Sequence, residues 1–172
     1  MNGGFLTLWS AGCASTLEGI GRIMGRPVKP EEVEPLTWTL CQIGGSQTGA
    51  KYLLAVQTLQ RIARDVARFF LDYDIWLTPT LAQPPLPLGS FEPSPDDPLK
   101  GLRQSAAFAP FTAICNMTGQ PAMSVPLFWN KDGLPLGAHF IGRFGDEATL
   151  FRLAAQLEQT RPWKGKLPPV CA

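Results

Sequence analysis

The stretch AMSVPLFWNKDGLPLGAHFI, residues 122–141, decides the fold class. Ala122 to Phe128 and Leu136 to Ile141 are rich in strand-favouring side chains, and Asn130-Lys131-Asp132-Gly133 between them holds the Asp-Gly pair that tight hairpin turns favour. The spacing predicts two strands joined by a hairpin. Ahead of it, Ser105 to Met117 has the spacing of a helix that Pro110 either kinks or restarts, and Gly119-Gln120-Pro121 ends it. Behind it, a helix opens at Asp146 or Glu147, carries Leu150, Leu153, Ala154 and Leu157 on one stripe, and stops before Pro162.

Further towards the N-terminus, Tyr73-Asp74-Ile75-Trp76-Leu77-Thr78 is β-rich and stops at Pro79, which suits a buried strand leaving a sheet at its carboxyl end. Before it, Ala50 to Leu71 places Leu53, Val56, Leu59, Ala63, Val66 and Phe70 at steps of three or four, with Gln60, Arg61, Arg64 and Arg68 opposite. This predicts an amphipathic helix packed on a core. Seven prolines fall between Pro79 and Pro98 and exclude regular structure there. That segment is expected to be a surface loop, at the place where open α/β sheets carry pocket mouths. In the first quarter, apolar residues from Phe5 to Met24 keep a rough helical spacing interrupted by Gly12, Gly19 and Gly21, which predicts one or two short helices. Pro30-Glu31-Glu32-Val33 starts a helical turn, and Gly44-Gly45-Ser46 breaks the chain before the long helix. The order of elements predicts an α/β fold, with a sheet of mixed direction flanked by helices.

Composition narrows the function classes. A chain of 172 residues with 45% hydrophobic and 17% charged residues is a globular domain or a piece of one. A compact fold of this length buries roughly 70% of its unfolded surface, so no disulfide or metal is needed to hold it. The net charge of +1 lacks the clustered basic excess that a nucleic-acid backbone or an anionic membrane calls for. No run approaches the 18 or so apolar residues of a membrane span. Cys13, Cys41, Cys115 and Cys171 form no Cys-x-x-Cys pair and are expected to be reduced, in a cytoplasmic protein. Arg22 is the first basic residue, so Met1 to Ser15 lacks the charged start of a secretion signal. Cys13, after Ser-Ala-Gly, is read as a buried thiol in a helix rather than a lipoprotein site.

Local chemistry offers few catalytic candidates. His139 is the one histidine, so a Ser-His-Asp or Cys-His arrangement must run through it, and its strand position is read as structural; a pair with Cys115 is the alternative. Scattered acids and a single histidine make a poor metal site. Gly45-Ser46-Gln47-Thr48-Gly49 with Lys51 fits neither a phosphate-binding loop nor a nucleophile elbow, and Ser46 or Thr48 is read as a helix cap. Asp96 and Asp97 imitate a carboxylate pair but fall in the proline-rich loop, where they are read as solvated turn residues.

A longer pattern is more specific. Phe111-Thr-Ala-Ile-Cys-Asn116-Met-Thr-Gly119-Gln-Pro121-Ala-Met-Ser-Val-Pro126, followed by Gly133-Leu-Pro135-Leu-Gly137-Ala-His-Phe-Ile-Gly142-Arg143, closely resembles the C-terminal part of amidase signature family enzymes. Tyr73 to Thr80 resembles that family's strand leading to the substrate pocket, and Glu147 to Glu158 with Arg161-Pro162-Trp163 resembles its closing helix and tail. The resemblance implies that residues 1–172 are a C-terminal portion of the amidase signature fold, with 79–98 as its proline-rich loop. It implies hydrolysis of the C–N bond of a small linear or cyclic amide, without metal or other cofactor. The family's lysine, cis-peptide serine and serine nucleophile lie in the first half of a much longer chain, and none of those motifs occurs here. This chain is therefore expected to hold no catalytic residue, to be inactive alone, and to depend on the missing N-terminal portion, joined covalently or acting in trans. Its own share is the substrate-pocket wall, built from Trp76, Thr78, Pro79 and Thr80 at the strand end and from Asn116 near the following turn. The competing expectations are a non-catalytic binding module descended from an amidase and an independent hydrolase using Cys115 or a serine.

Overall fold

The computed structural model describes residues 3–94 and 96–167, which leaves Cys171, and Pro95 of the proline-rich loop, outside the described residues. The chain divides into two compact units, one of Met1–Ala63 with Leu86–Phe108 and the other of Arg64–Pro85 with Ala109–Ala172.

In the first unit, α1 (Gly3–Met24) is one continuous helix. Gly12 and Gly19, expected to break it, sit inside it with open space where a side chain would be. An internal glycine costs a helix only about 1 kcal/mol, and packing of α1 on α2 (Pro35–Gly45) outweighs that. The helix ends at Gly25, whose φ of 69° is the left-handed conformation of a Schellman cap. Gly25 N–H donates to Arg22 and Arg26 N–H to Gly21, closing that motif. A 3₁₀ turn, Pro30–Glu32, follows as expected. Arg26 donates to both carboxylate oxygens of Glu32, at 2.9 and 2.7 Å, which holds that carboxyl down at about 2.

Gly44 and Gly45 do not break the chain: they are the last residues of α2. Gly44 is buried because the Ser10 carbonyl of α1 comes so close that a Cβ there would overlap it. The glycine thus permits a helix crossing, and Ser10 itself is fully buried, its hydroxyl donating to the Thr7 carbonyl. Thr48 caps the next helix by accepting from Lys51 N–H at 3.2 Å, while the Ser46 hydroxyl turns back to the Ile43 carbonyl.

The long helix α3 (Gly49–Asp72) runs from the first unit into the second, with Arg61, Arg64 and Arg68 outward and Ala55, Leu59 and Phe70 buried. Leu53, expected on the buried stripe, is 60% exposed. The expected helix Ser105 to Met117 is two helices, α4 (Lys100–Phe108) and α5 (Ala113–Thr118). Pro110 lies in the break, where it has no N–H to continue a helical ladder.

The second unit is built on a three-stranded sheet in the order β1 (Ile75–Pro79), β3 (Pro135–Gly142), β2 (Ala122–Trp129). The α/β class is as expected, but within this chain both ladders are antiparallel rather than mixed. The hairpin fixes the direction of β2 against β3, and β1 adds to the other side of β3 in the same antiparallel sense. The turn is wider than a two-residue Asp-Gly loop. Asn130 organises it, its Oδ1 accepting from Asp132 N–H at 3.0 Å and Leu134 N–H at 2.8 Å, with Gly133 at φ 76°. Pro126 cannot donate to the ladder, and the register shifts between Pro126 and Phe128. The β1 strand is an edge strand with Leu77 59% exposed, so it is not buried within this chain.

One face of this sheet is the core. Val125, Leu127 and Phe140 are buried against Leu150 of α6 (Glu147–Thr160), with Ile75, Met123, Ala138, Leu153, Leu157 and Trp163 packed around them. Burial of each large side chain is worth about 1.5–3 kcal/mol. Asp146 caps α6, accepting from Thr149 N–H at 3.3 Å and from its hydroxyl at 2.7 Å.

Glycines of the first unit separate two mechanisms. Gly44→Ala should destabilise the chain by about 3 kcal/mol through overlap with Ser10, the upper range for overpacking. Gly12→Ala, with nothing within 4 Å, should instead stabilise it by up to about 1 kcal/mol. Urea unfolding of both variants beside the parent chain measures the two signs.

Candidate functional site on the second face of the sheet

Alternation along the strands puts Trp76, Thr78 and Thr80 on the face away from α6, together with Ser124, Gly137, His139 and Ile141. Trp76 lies opposite Ile141 and packs beside Phe69 of α3, with ring centroids 5.6 Å apart. Thr78 lies opposite His139, and the Thr78 Oγ1 to His139 Nδ1 distance is 3.1 Å. Arg143, just after β3, donates to the Phe70 carbonyl at 2.9 Å and ties the end of α3 to this face.

Thr80 and Ser124 come from the two outer strands, yet their hydroxyl oxygens are 2.6 Å apart. They meet across β3 because the residue between them is Gly137, where a Cβ would overlap both hydroxyls. Thr80 N–H donates to the Gly137 carbonyl at 3.0 Å, so the ladder continues one residue beyond Pro79.

Beyond that point the chain lines an open cavity of about 230 Å³. Its walls are Pro79, Leu81, Pro84 and Pro85 with Leu136 and Gly137, and Gln83 is the polar side chain among them. The volume is below the roughly 300–1,000 Å³ of a site that encloses a whole drug-sized ligand, so it accommodates part of one. Of the expected wall residues, Trp76, Thr78 and Thr80 share one face and Pro79 lines the cavity. Asn116 is exposed on α5 and is not among the cavity's lining residues.

The other sequence candidates fall elsewhere. His139 is buried, and burial lowers its pKa below the ordinary 6.5, so the imidazole is neutral at pH 7. No carboxylate among the described residues hydrogen-bonds it, so the orienting third group of a hydrolytic triad is missing. Cys115 is half-buried on α5 without a side-chain hydrogen bond to His139, and burial pushes its thiol above the ordinary value. Asp97 is ion-paired with Arg103, which keeps its carboxyl low and ionised. Among the described residues, no three of His, Cys, Asp and Glu cluster as a metal site, and no helix is long and apolar enough to cross a membrane.

Sequence reasoning did not find the Ser124 and Gly137 partnership with Thr80. The signal that carries it is Gly137 at a face position of a strand pattern, which marks a close approach of neighbours. It also gave no sign of an open groove of about 790 Å³ in the first unit, lined by α1, α2 and the segment between them.

The amidase family model matches residues 16–151, most of the chain. The chain belongs to the amidase family. This amidase chain is 29% identical over 170 residues to the 6-aminohexanoate-cyclic-dimer hydrolase of Pseudomonas sp. (strain NK87), covering 95% of itself and 34% of that enzyme. It is 30% identical over 171 residues to the enzyme of the same name from Paenarthrobacter ureafaciens, again covering 34% of it. A solved structure of 6-aminohexanoate cyclic dimer hydrolase superposes with a TM-score of 0.83 at 30% identity, over 91% of this chain and 34% of that one. The chain thus spans about a third of the length of the amidases it matches.

His139 makes the site's pH response testable. Because the fold lowers its pKa, the unfolded chain binds the extra proton more readily. Its contribution is fully present above the ordinary 6.5 and is lost as pH falls through the folded value. No other side chain titrates by default in this range, since the sequence has one histidine. The urea midpoint should therefore drop from about pH 7.5 to about pH 5.5, and His139→Gln should flatten that slope. An equal slope in both proteins would assign the pH response to another group.

Proposed function

We propose that residues 1–172 are the C-terminal portion of an amidase domain that hydrolyses the C–N bond of a small linear or cyclic amide in the cytoplasm. The portion supplies substrate-pocket wall and lacks the catalytic groups. The observation that carries this reading is the surface this chain leaves open while matching only a third of its relatives. Both β1 and β2 are edge strands. In the second unit, Leu71, Phe144 and Phe151 are each at least 69% exposed, and Tyr73, Leu77 and Phe128 are also exposed. Gln47 Oε1 and Gln120 Oε1 are buried without a hydrogen-bond partner among the described residues. Apolar surface and orphaned acceptors of this kind are what the remainder of a larger domain would cover and satisfy.

The division of chemistry follows from the family resemblance. A serine hydroxyl is a weak nucleophile at neutral pH and needs a base, in this family a neutral lysine relayed through a second serine. Backbone N–H groups of the Gly/Ser-rich stretch would hold the developing oxyanion, which is worth several kcal/mol of barrier. Those groups belong to the portion outside this chain. The wall is assigned to Trp76, Thr78, Pro79 and Thr80, with Asn116 near the turn after α5. The Thr78 and Thr80 hydroxyls are already fixed by His139 and Ser124, so they present a pre-organised polar edge beside the apolar Trp76 ring. Net charge near zero gives this portion no footprint for direct nucleic-acid contact. The exposed apolar surface favours this reading over a self-contained binding module, whose surface would be finished.

The test uses the chain alone and mixed with the separately produced preceding part of the Pseudomonas relative, assayed for amine released from 6-aminohexanoate cyclic dimer. The chain alone should release none and bind an apolar fluorescent dye; the pair should turn over and lose dye binding. Hydrolysis by the chain alone would overturn the missing-machinery reading. A folded, co-eluting pair that stays inactive on this and other small amides would overturn the amidase reading.

A further inference from the structure

The first unit holds a pair of thiols that the amidase reading does not use. Ser10 of α1 meets Gly44 of α2 at a backbone approach too close for any side chain at Gly44. The connecting segment leaves the far end of α1, so the two helices run in opposite senses. One turn onward along α1 from Ser10 stands Cys13, and one turn back along α2 from Gly44 stands Cys41. The two steps lead the same way along the helix pair, which brings both cysteines to one level just beside the closest approach.

Both thiols are free and only half-buried. Cys13 lines an open cavity of about 270 Å³ with Trp9, Thr16, Leu17 and Thr37. Cys41 lines the neighbouring groove of about 790 Å³, and Leu17 is common to both linings. A small oxidant therefore has a path to either sulfur, and no side-chain hydrogen bond engages either thiol among the described residues. Burial raises the Cys13 pKa, and the proximity of Cys41 raises it further.

We propose that Cys13 and Cys41 are a thiol-oxidation site, closed by a peroxide to an intramolecular disulfide that staples α1 to α2. The first thiolate attacks a peroxide oxygen, the O–O bond breaks, and a sulfenic acid forms as one water leaves. The second thiolate then attacks that sulfur, the S–S bond forms, and the sulfenic oxygen leaves as a second water. Two thiols are oxidised by two electrons, and one peroxide is reduced to two waters. The site stands on the helix pair alone and does not depend on the amidase reading.

The experiment treats the full chain with hydrogen peroxide, blocks remaining thiols by alkylation, and maps tryptic peptides without reduction. Trypsin cuts after Arg22, so the two cysteines fall in separate peptides. The expected result is a dominant Cys13–Cys41 cross-linked peptide with the mass of two hydrogens lost. Its rate should rise about tenfold per pH unit below the thiol pKa, because the thiolate is the reactive form. Cys115→Ser should keep the cross-link, and Cys13→Ser or Cys41→Ser should abolish it. The same oxidation in guanidinium, where helix placement is gone, should spread the cross-links over other pairs. A Cys13–Cys41 yield no greater in native buffer than in guanidinium, or full alkylation of either cysteine after peroxide, would overturn the proposal.

Discussion

The absence of a side chain at Gly137 governs how the second face of the sheet is built. Strands two places apart do not ordinarily exchange side-chain hydrogen bonds, because the side chain of the strand between them fills the gap. Here Gly137 leaves that gap open, and the Thr80 and Ser124 hydroxyls close it at 2.6 Å. One such bond is worth only about 1 kcal/mol net. Its structural effect is larger than its energy, since it links both edges of a three-stranded sheet at the point where β1 turns into the cavity wall. The neighbouring Thr78 and His139 contact is of the ordinary kind, between directly opposite residues of the adjacent strands β1 and β3. The core face needs no such device, because Phe140, Val125 and Leu127 meet Leu150 by apolar packing alone.

What the sequence made legible follows the range of the interaction involved. The hairpin, the cap at Asp146 and the length of α3 rest on neighbours within a few residues, and each lies where the local pattern places it. The α1 helix shows the opposite case. Its glycines read locally as breaks, yet only Gly25 ends the helix, because termination depends on a left-handed φ together with carbonyls to cap. Gly44 reads as a break for the same reason, although its role comes from a carbonyl 34 positions earlier, at Ser10. Strand direction was equally beyond local reading, since antiparallel addition of β1 to β3 joins residues from Ile75 to Gly142.

The site divides along the same line. Trp76, Thr78 and Thr80 stand on one face because strand alternation allows nothing else once β1 is a strand. Their partners Ser124 and His139 become visible only with the register, which a single sequence does not fix. Asn116 stands on a short helix that begins at Ala113, where it is exposed and is not among the residues lining the cavity, so its place in the wall rests on the family resemblance alone.

The electrostatics of this face argue for a wall and against a concealed active centre. A general base works best when its pKa lies near the working pH and its lone pair can reach a substrate proton. Burial moves the His139 pKa away from neutrality, its Nδ1 is engaged by Thr78, and no carboxylate among the described residues stands by to stabilise an imidazolium. Threonine and serine hydroxyls bound to one another are poorly placed to lose a proton, because no group of lower charge cost receives it. The same features suit a surface that must keep its shape: a neutral ring, satisfied hydroxyls and a glycine that lets them meet. In the proposed reading such a surface would orient substrate, with the energy of orientation spent on groups supplied from elsewhere in the domain.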